Sequence, residues 1–204
     1  MSDQDLKGSE RSVDELLDLT IEVIAEEGLA KCSFRVLAER AGTSTSIFTY
    51  RFKDRVTLIR RVLERAYDIG WEDMALGDLE HPDPIQRLYE IGLDDLQLGQ
   101  ELDAYKRAYA EILVAAPREP ELVAALRESD GPFLASYRSL IRRAQDEGQL
   151  DPELDPYSLS LAIWAVIDGL NINRYAYGNE LGPEVIETFF RRAFEGIVGR
   201  PVAG

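Results

Sequence analysis

The chain has 204 residues, 45% hydrophobic and 30% charged, with a formal net charge of −15. That describes a soluble globular protein of one or two domains with a real core, too acidic overall to coat nucleic acid indiscriminately. The single cysteine, Cys32, excludes an intrachain disulfide framework and fits a reducing compartment. The polar start, MSDQDLKGSERS, is not a signal peptide, and the longest apolar run, 161–167, is too short to cross a bilayer. A cytoplasmic protein without a membrane partner is expected.

Residues 1–12 read as a frayed polar arm. From 13 to 27, Val13, Leu16, Leu17, Thr20, Ile21, Ile24 and Ala25 repeat at the 3, 4, 3 spacing of an amphipathic helix, which Gly28 ends. Ser33 caps a second helix whose apolar face is Phe34, Leu37, Ala38 and Ala41. Gly42 stops that helix, and Thr43 and Ser44 offer caps to a third, 45–52. Two short helices around a glycine turn describe a helix-turn-helix, with the first helix as the third wall of a small domain. Asp54 caps a fourth helix, which carries Val56, Leu58, Ile59, Val62, Leu63, Ala66 and Tyr67 on into Trp71 and has no stop before Gly77.

After the break at 80–84 come helical patterns at 84–99, 101–116, 120–147, 156–178 and 183–198, with Gly131-Pro132 a candidate kink or split in the third. No strand alternation and no internal repeat is present. The expected fold is all-α with about nine helices: a helix-turn-helix domain over 1–53, then a helical effector-binding and dimerisation domain over 54–204. The 156–178 helix is apolar almost all round, and 183–198 carries a wide stripe of Val185, Ile186, Phe189, Phe190, Ala193, Phe194 and Ile197. One small domain has difficulty hiding both. They predict a two-fold four-helix bundle between two copies, with Trp164, Ile167, Phe189, Phe190 and Phe194 at the interface; the alternative is that both helices belong to the monomer core.

Charge singles out the helix-turn-helix. Residues 31–61 hold eight basic side chains (Lys31, Arg35, Arg40, Arg51, Lys53, Arg55, Arg60, Arg61) and two acidic ones, Glu39 and Asp54. The window is +6 in a chain of −15, which leaves −21 elsewhere. A basic island in an acidic chain is the footprint of a phosphate-docking surface, although solvated helix faces would also carry such charges.

Leu37-Ala38-x-x-Ala41-Gly42-x-Ser44 and Phe48-x-Tyr50-x-Phe52-Lys53-x-Arg55-x-x-Leu58 resemble, without a gap, the start of the TetR family of bacterial transcriptional regulators. The family pattern runs I-A-x-x-A-G-V-S-x-G-T-L-Y-x-H-F-x-S-K-E-x-L. This chain departs from it with Thr43 for Val, Ser46 for Gly, Ile47 for Thr, Thr49 for Tyr, Arg51 for His, and Asp54-Arg55 for Ser-Lys. Beyond the first 60 or so residues the likeness is one of layout, with Asp168-Gly169-Leu170 in the penultimate long helix. The resemblance implies a homodimer with a ligand pocket in its C-terminal domain, released from DNA by its effector.

Helix-turn-helix proteins read bases from the N-terminal part of the second helix of the motif. Phe48 and Phe52 should face inward, leaving Thr45, Ser46, Thr49 and Tyr50 for base edges, or Tyr50 packed on the first helix. Ser33, Arg35, Ser44, Arg51, Lys53 and Arg55 are placed for the backbone. In the C-terminal domain Tyr89, Tyr105, Tyr109, Phe133, Tyr137 and Trp164, with Asp168 as the lone acid on an apolar helix, are candidate lining for a pocket taking a small apolar or aromatic ligand. Each is equally readable as core. The expected function is a transcriptional regulator, a repressor on a palindromic operator of double-stranded DNA. The rivals are an architectural or division-control DNA binder of the same fold without an effector, or an all-α enzyme or carrier. His81, in an exposed loop, and Cys32 form no catalytic pair. Asp94-Asp95 and Asp151/Glu153/Asp155 read as exposed charge, and no metal, phosphate-loop or nucleophile motif is present. No cofactor, metal or catalytic residue is expected.

Overall fold

The computed structural model describes residues 11–66, 79–97, 102–177 and 181–203. The described residues form nine α-helices and no strand. Helix α1, Val13–Glu27, opens with a capping box: the Ser12 hydroxyl accepts from Glu15 N at 3.1 Å, and Ser12 N donates to Glu15 Oε2 at 2.6 Å. Ser12 is thus an ordered cap rather than part of a frayed arm. A 3-10 turn, Leu29–Lys31, leads to α2, Phe34–Ala41, which is capped by Ser33 and closed by Gly42 in the left-handed region at φ 64°. Then follow α3, Thr45–Phe52, and α4, Arg55–Ala66, whose first turn is capped by Asp54 Oδ1 accepting from Thr57 N at 2.7 Å. The expected run of α4 through Tyr67 and Trp71 lies outside the described residues.

The C-terminal body comprises α5 (Pro84–Gln97), α6 (Asp103–Ala115), α7 (Pro120–Asp146), α8 (Pro156–Tyr177) and α9 (Pro183–Val198), with a 3-10 turn Ala116–Arg118 before α7. Helix α7 is not split at Gly131-Pro132. Its 27 residues stay helical through Pro132 because Phe133, Tyr137, Leu140 and Ile141 all insert into the core. The Ser136 hydroxyl also donates to the Pro132 carbonyl at 3.1 Å. His81 is not a free loop residue. Its Nδ1 lies 2.8 Å from the Asp83 carbonyl oxygen, and the Asp83 carboxylate caps α5 through Ile85 N and Gln86 N.

Among the described helices, α1 and α6 share the most extensive packing, so the N-terminal head leans directly on the body. The other large contacts join α4 and α5 to α7, and α8 to both α7 and α9. Where α5, α8 and α9 meet, Tyr89 stacks on Phe190 (5.5 Å between centroids) and meets Phe194 edge-on at 5.5 Å. All three rings are buried in one protomer. Phe190 and Phe194, expected at a dimer interface, and Tyr89, expected in a ligand pocket, are therefore core. Ile167 joins them, 3% exposed.

That junction explains a glycine. A Cβ on Gly92 would stand 2.4 Å from Phe190 Cζ and 3.1 Å from Ile167 Cδ1. The Phe190 ring is boxed by Tyr89 and Phe194 and has nowhere to retreat. Gly92→Ala should therefore destabilise the fold by about 1–3 kcal/mol, overriding the helix propensity that alanine would add. A Tm lowered by several degrees in thermal unfolding would show it; an unchanged or raised Tm would mean that the junction is loose.

Candidate nucleic-acid interface and effector cavity

At the N-terminal end the turn chemistry aims α3 outward. Phe48 and Phe52 are buried and pack in series with Phe34, at centroid distances of 5.9 and 6.0 Å. With those rings inside, periodicity puts Thr45, Ser46, Thr49, Tyr50 and Arg51 on the solvent side, and all are exposed, Tyr50 by 81%. Tyr50 does not fold onto α1; the Arg51 guanidinium lies 5.8 Å from its ring centre. The Ser44 and Ser46 hydroxyls bond each other at 2.6 Å, and no side chain caps α3, so its first backbone N–H groups face outward unclaimed by a cap. Lys53 follows at φ 61°, ψ −60°, with Asp54 N bonded to the Phe52 carbonyl at 2.7 Å: a γ-turn of the strained hand that swings the chain from α3 into α4.

The basic island divides in two. Arg40 reaches back to Glu26 and Glu27 at the end of α1, Arg55 pairs with Glu119, Arg60 with Glu128, and Arg61 with Glu64. No ion pair joins Lys31, Arg35, Arg51 or Lys53 to an acid among the described residues, and all four are exposed. Unneutralised charge thus stays in the helix-turn-helix, with Arg51 on α3 and Lys53 directly after it. Arg55, expected to meet a phosphate, instead gives Nη1 to Glu119 Oε2 at 2.8 Å and Nη2 to the Leu29 carbonyl at 3.4 Å. Ser33 spends its hydroxyl on the α2 cap, accepting from Val36 N at 3.4 Å.

The C-terminal candidates separate as well. Tyr109, Trp164 and Asp168 line a nearly closed cavity of about 20 Å³, room for one water molecule. Phe133 and Tyr137 stand behind the Trp164 ring at 5.9 and 5.8 Å. Tyr105 turns away and donates to the Leu63 carbonyl at 3.2 Å, tying α6 to α4. The rest of the polar lining, Asp95, Lys106 and Asn171, was not among the expected pocket residues. Asp95, taken as exposed charge, is 7% exposed and pairs with Lys106, 4% exposed, at 3.2 Å. Lys106 Nζ also donates to the Asp95 backbone carbonyl, and Asn171 Nδ2 donates to Asp95 Oδ1 at 2.9 Å. The signal was there, since both charges sit in the apolar register of their helices, Asp95 beside Ile91 and Leu96, Lys106 beside Tyr109.

Two more acids complete the cluster. Asp130 accepts from the Tyr109 hydroxyl at 3.2 Å, and burial pushes its carboxyl up to about 7. Burial, then the charges of Asp130 and Asp95, push Asp168 up to about 8, partly offset by a hydrogen bond from Trp164. Burial also lowers Lys106, against the pull of Asp95. Asp95, Lys106 and Asp168 thus set charged groups in a cavity whose lining is otherwise mostly apolar, as expected. No group of three His, Cys, Asp or Glu among the described residues is arranged to hold a metal ion.

An all-helical chain with a cation-rimmed helix-turn-helix at one end and a helical body enclosing a small cavity at the other has the architecture of a bacterial transcriptional regulator. The family model for bacterial regulatory proteins of the tetR family matches residues 16–62, and that for the C-terminal domain of BetI-type transcriptional repressors matches residues 84–199. The chain belongs to the TetR family. Its fold is shared by a protein assigned to the TetR family of transcriptional regulators from Rhodococcus sp., 23% identical at a TM-score of 0.80, over 91% of this chain and 97% of the other. A transcriptional regulator from Rhodococcus sp. Rha1 (22%, TM-score 0.74, 95% and 100%) and a TetR transcription regulator from Haloarcula marismortui (22%, 0.70, 91% and 95%) share it too. No curated protein matches the sequence significantly. Family and fold are those of regulators, which are not enzymes, and no described helix is long and apolar enough to cross a membrane.

The cavity acids make stability depend on pH. An acid whose folded pKa is raised holds its proton in the native state while the unfolded chain has lost it, so stability falls as pH rises from the unfolded value to the folded one. For Asp168 that window runs from 3.8 to about 8, and for Asp130 from 3.8 to about 7. Asp168→Asn should therefore raise Tm at pH 8, change it little at pH 4, and flatten the Tm profile between them. Parallel profiles for the two proteins would show that Asp168 is ionised throughout.

Proposed function

We propose that the protein is a dimeric repressor that reads a palindromic DNA operator with α3 and is released by a small ligand entering the α6–α8 cavity. The observation that carries the reading is the exposed row Thr45, Ser46, Thr49 and Tyr50 on α3, rimmed by the unpaired cations Lys31, Arg35, Arg51 and Lys53 on a chain of −15. Hydroxyls donate to or accept from base edges, and the threonine methyls and the tyrosine ring suit thymine methyls. The four cations, with Ser44 and the uncapped first turn of α3, take the phosphates.

Dimerisation is supported by α8, of whose 22 residues only Ser160, Ile163 and Ile167 are buried. Leu170, Asn173 and Tyr177 of α8 line an open groove with Leu181, Val185 and Phe189; Phe189 is 57% exposed. Phe189 and Val185, with Leu161, are the apolar groups offered to a second copy. The cavity supports a ligand-responsive regulator by its chemistry rather than its present size. A ligand that brings hydrogen bonds or positive charge to Asp168 and Asp130 would add to the bonds they accept from Trp164 and Tyr109, at the cost of prising α6 from α8. The rival without an effector is favoured by the small volume.

Selection of bound duplexes from a random pool tests the reading: it should enrich a palindrome with half-sites spaced by about one helical turn or more. Enrichment of no palindrome would end it. Phe189→Glu should yield monomers in sedimentation at unchanged helicity, and should abolish operator binding at concentrations where the parent binds. A dimer that survives that substitution would place the interface elsewhere.

A further inference from the structure

Both ends of the helix-turn-helix are tied to acids of the C-terminal body. At its entrance, Leu29 N donates to Glu111 Oε2 of α6 at 3.2 Å. At its exit, the Arg55 guanidinium spans from Glu119, just before α7, to the carbonyl of the same Leu29. One residue, Leu29, is therefore gripped through its N–H by α6 and through its C=O by Arg55, which the body in turn holds. Leu29 opens the turn that feeds α2, and Arg55 opens α4 directly after α3. Gly28 lets the carboxylate approach: a Cβ there would stand 3.3 Å from Glu111 Oε2, and its φ is 85°.

Helix α6 also walls the cavity. Lys106, Tyr109 and Leu113 line it, while Glu111 projects about 200° around the helix from Tyr109, toward the head. A ligand that displaces α6 must displace Glu111 against Leu29. We infer that Glu111, Glu119 and Arg55 form a latch that sets where α3 stands relative to the body, with Arg55 a positioning residue rather than a phosphate ligand. The inference rests on α3 being the reading helix. Its bonds are half-exposed, with the Arg55 and Glu119 side chains 35% and 40% exposed, so they add little to stability. Their removal is to be seen in DNA affinity and scarcely in Tm.

The test uses the full chain and a fluorescein-labelled duplex recovered by selection, titrated from about 50 to about 200 mM salt. The latch predicts that Arg55→Ala and Glu119→Gln each weaken binding about five- to tenfold. The double variant should be no weaker than either alone. The slope of log K against log salt should stay unchanged, and Tm should stay within about 2 °C. Arg55→Lys keeps the charge but loses the two-pronged grip, and should bind no better than Arg55→Ala. A phosphate role predicts the reverse: Arg55→Ala flattens the slope by about 0.9, Arg55→Lys binds nearly as the parent does, and Glu119→Gln strengthens binding by freeing the cation. Either that pattern or additive losses in the double variant would overturn the latch. Should no duplex be selected, the regulator reading fails by itself. The latch is then decided by amide exchange over residues 28–32 in Glu111→Gln: faster exchange sustains it, and unchanged exchange refutes it.

Discussion

Helix α6 has two neighbours to satisfy, and most of the molecule is arranged around that. It packs along α1, the back wall of the reading head, more extensively than any other pair of helices. Its other face closes the cavity with Lys106 and Tyr109. Ala108 and Ile112, both fully buried, leave no slack along its middle. Close-packed interiors transmit displacement instead of absorbing it, so α6 moves as a unit or not at all. Head and body are therefore not two beads on a string. The body's shape is part of what determines where α3 points.

The polar cavity adds a tension that an apolar core would lack. Burying Lys106 against Asp95 returns little net stability, since desolvation offsets most of the attraction. Asp168 and Asp130 go further: burial raises them to about 8 and about 7, against hydrogen bonds from Trp164 and Tyr109. A core built for stability alone would place leucine and phenylalanine at these positions. Groups held in an unfavourable state have the most to gain from a partner, which is why the proposed ligand would bind here despite the small cavity. The rings of Trp164, Phe133 and Tyr137 pack together on one side of the cavity, and α6 with Tyr109 and Lys106 forms the other.

Much of the head was legible because its signals are local. Ser33, Gly42 and Asp54 are read as caps from residues within a turn of them, and Phe48 and Phe52 show their inward face by spacing alone. In the body the same reasoning found the helices but not their faces. In α9 the stripe from Val185 to Ile197 is wide enough to touch both the core and the outside. Periodicity cannot separate Phe189, 57% exposed, from Phe190, wholly buried, because one residue's rotation lies within the stripe. Asp95 was lost for a different reason: its partner is 11 residues away on another helix, and a charge in an apolar register looks like an error until that partner is found. The pairing of Arg55 with Glu119 was not legible, because a basic island shows where cations are, not which of them acids already hold.

That division of the island shapes the approach to DNA. The chain outside residues 31–61 carries −21, and a polyanion is repelled by almost all of the surface. Arg40, Arg55, Arg60 and Arg61 are already paired with acids. Lys31, Arg35, Arg51 and Lys53 remain exposed in the helix-turn-helix, the last two on and directly after α3. Attraction is short-ranged at physiological salt, falling away over about 8 Å, so only an encounter that presents the helix-turn-helix is captured. The acidic body thereby disfavours sideways and nonspecific docking, and on the proposed reading the few free cations would supply the register within which the hydroxyls of α3 discriminate. Phosphate contacts would then be few, and a small error in the position of α3 would lose a large share of them. An interaction as weak in stability as Glu119 with Arg55 would, on that reading, govern how well the head grips DNA.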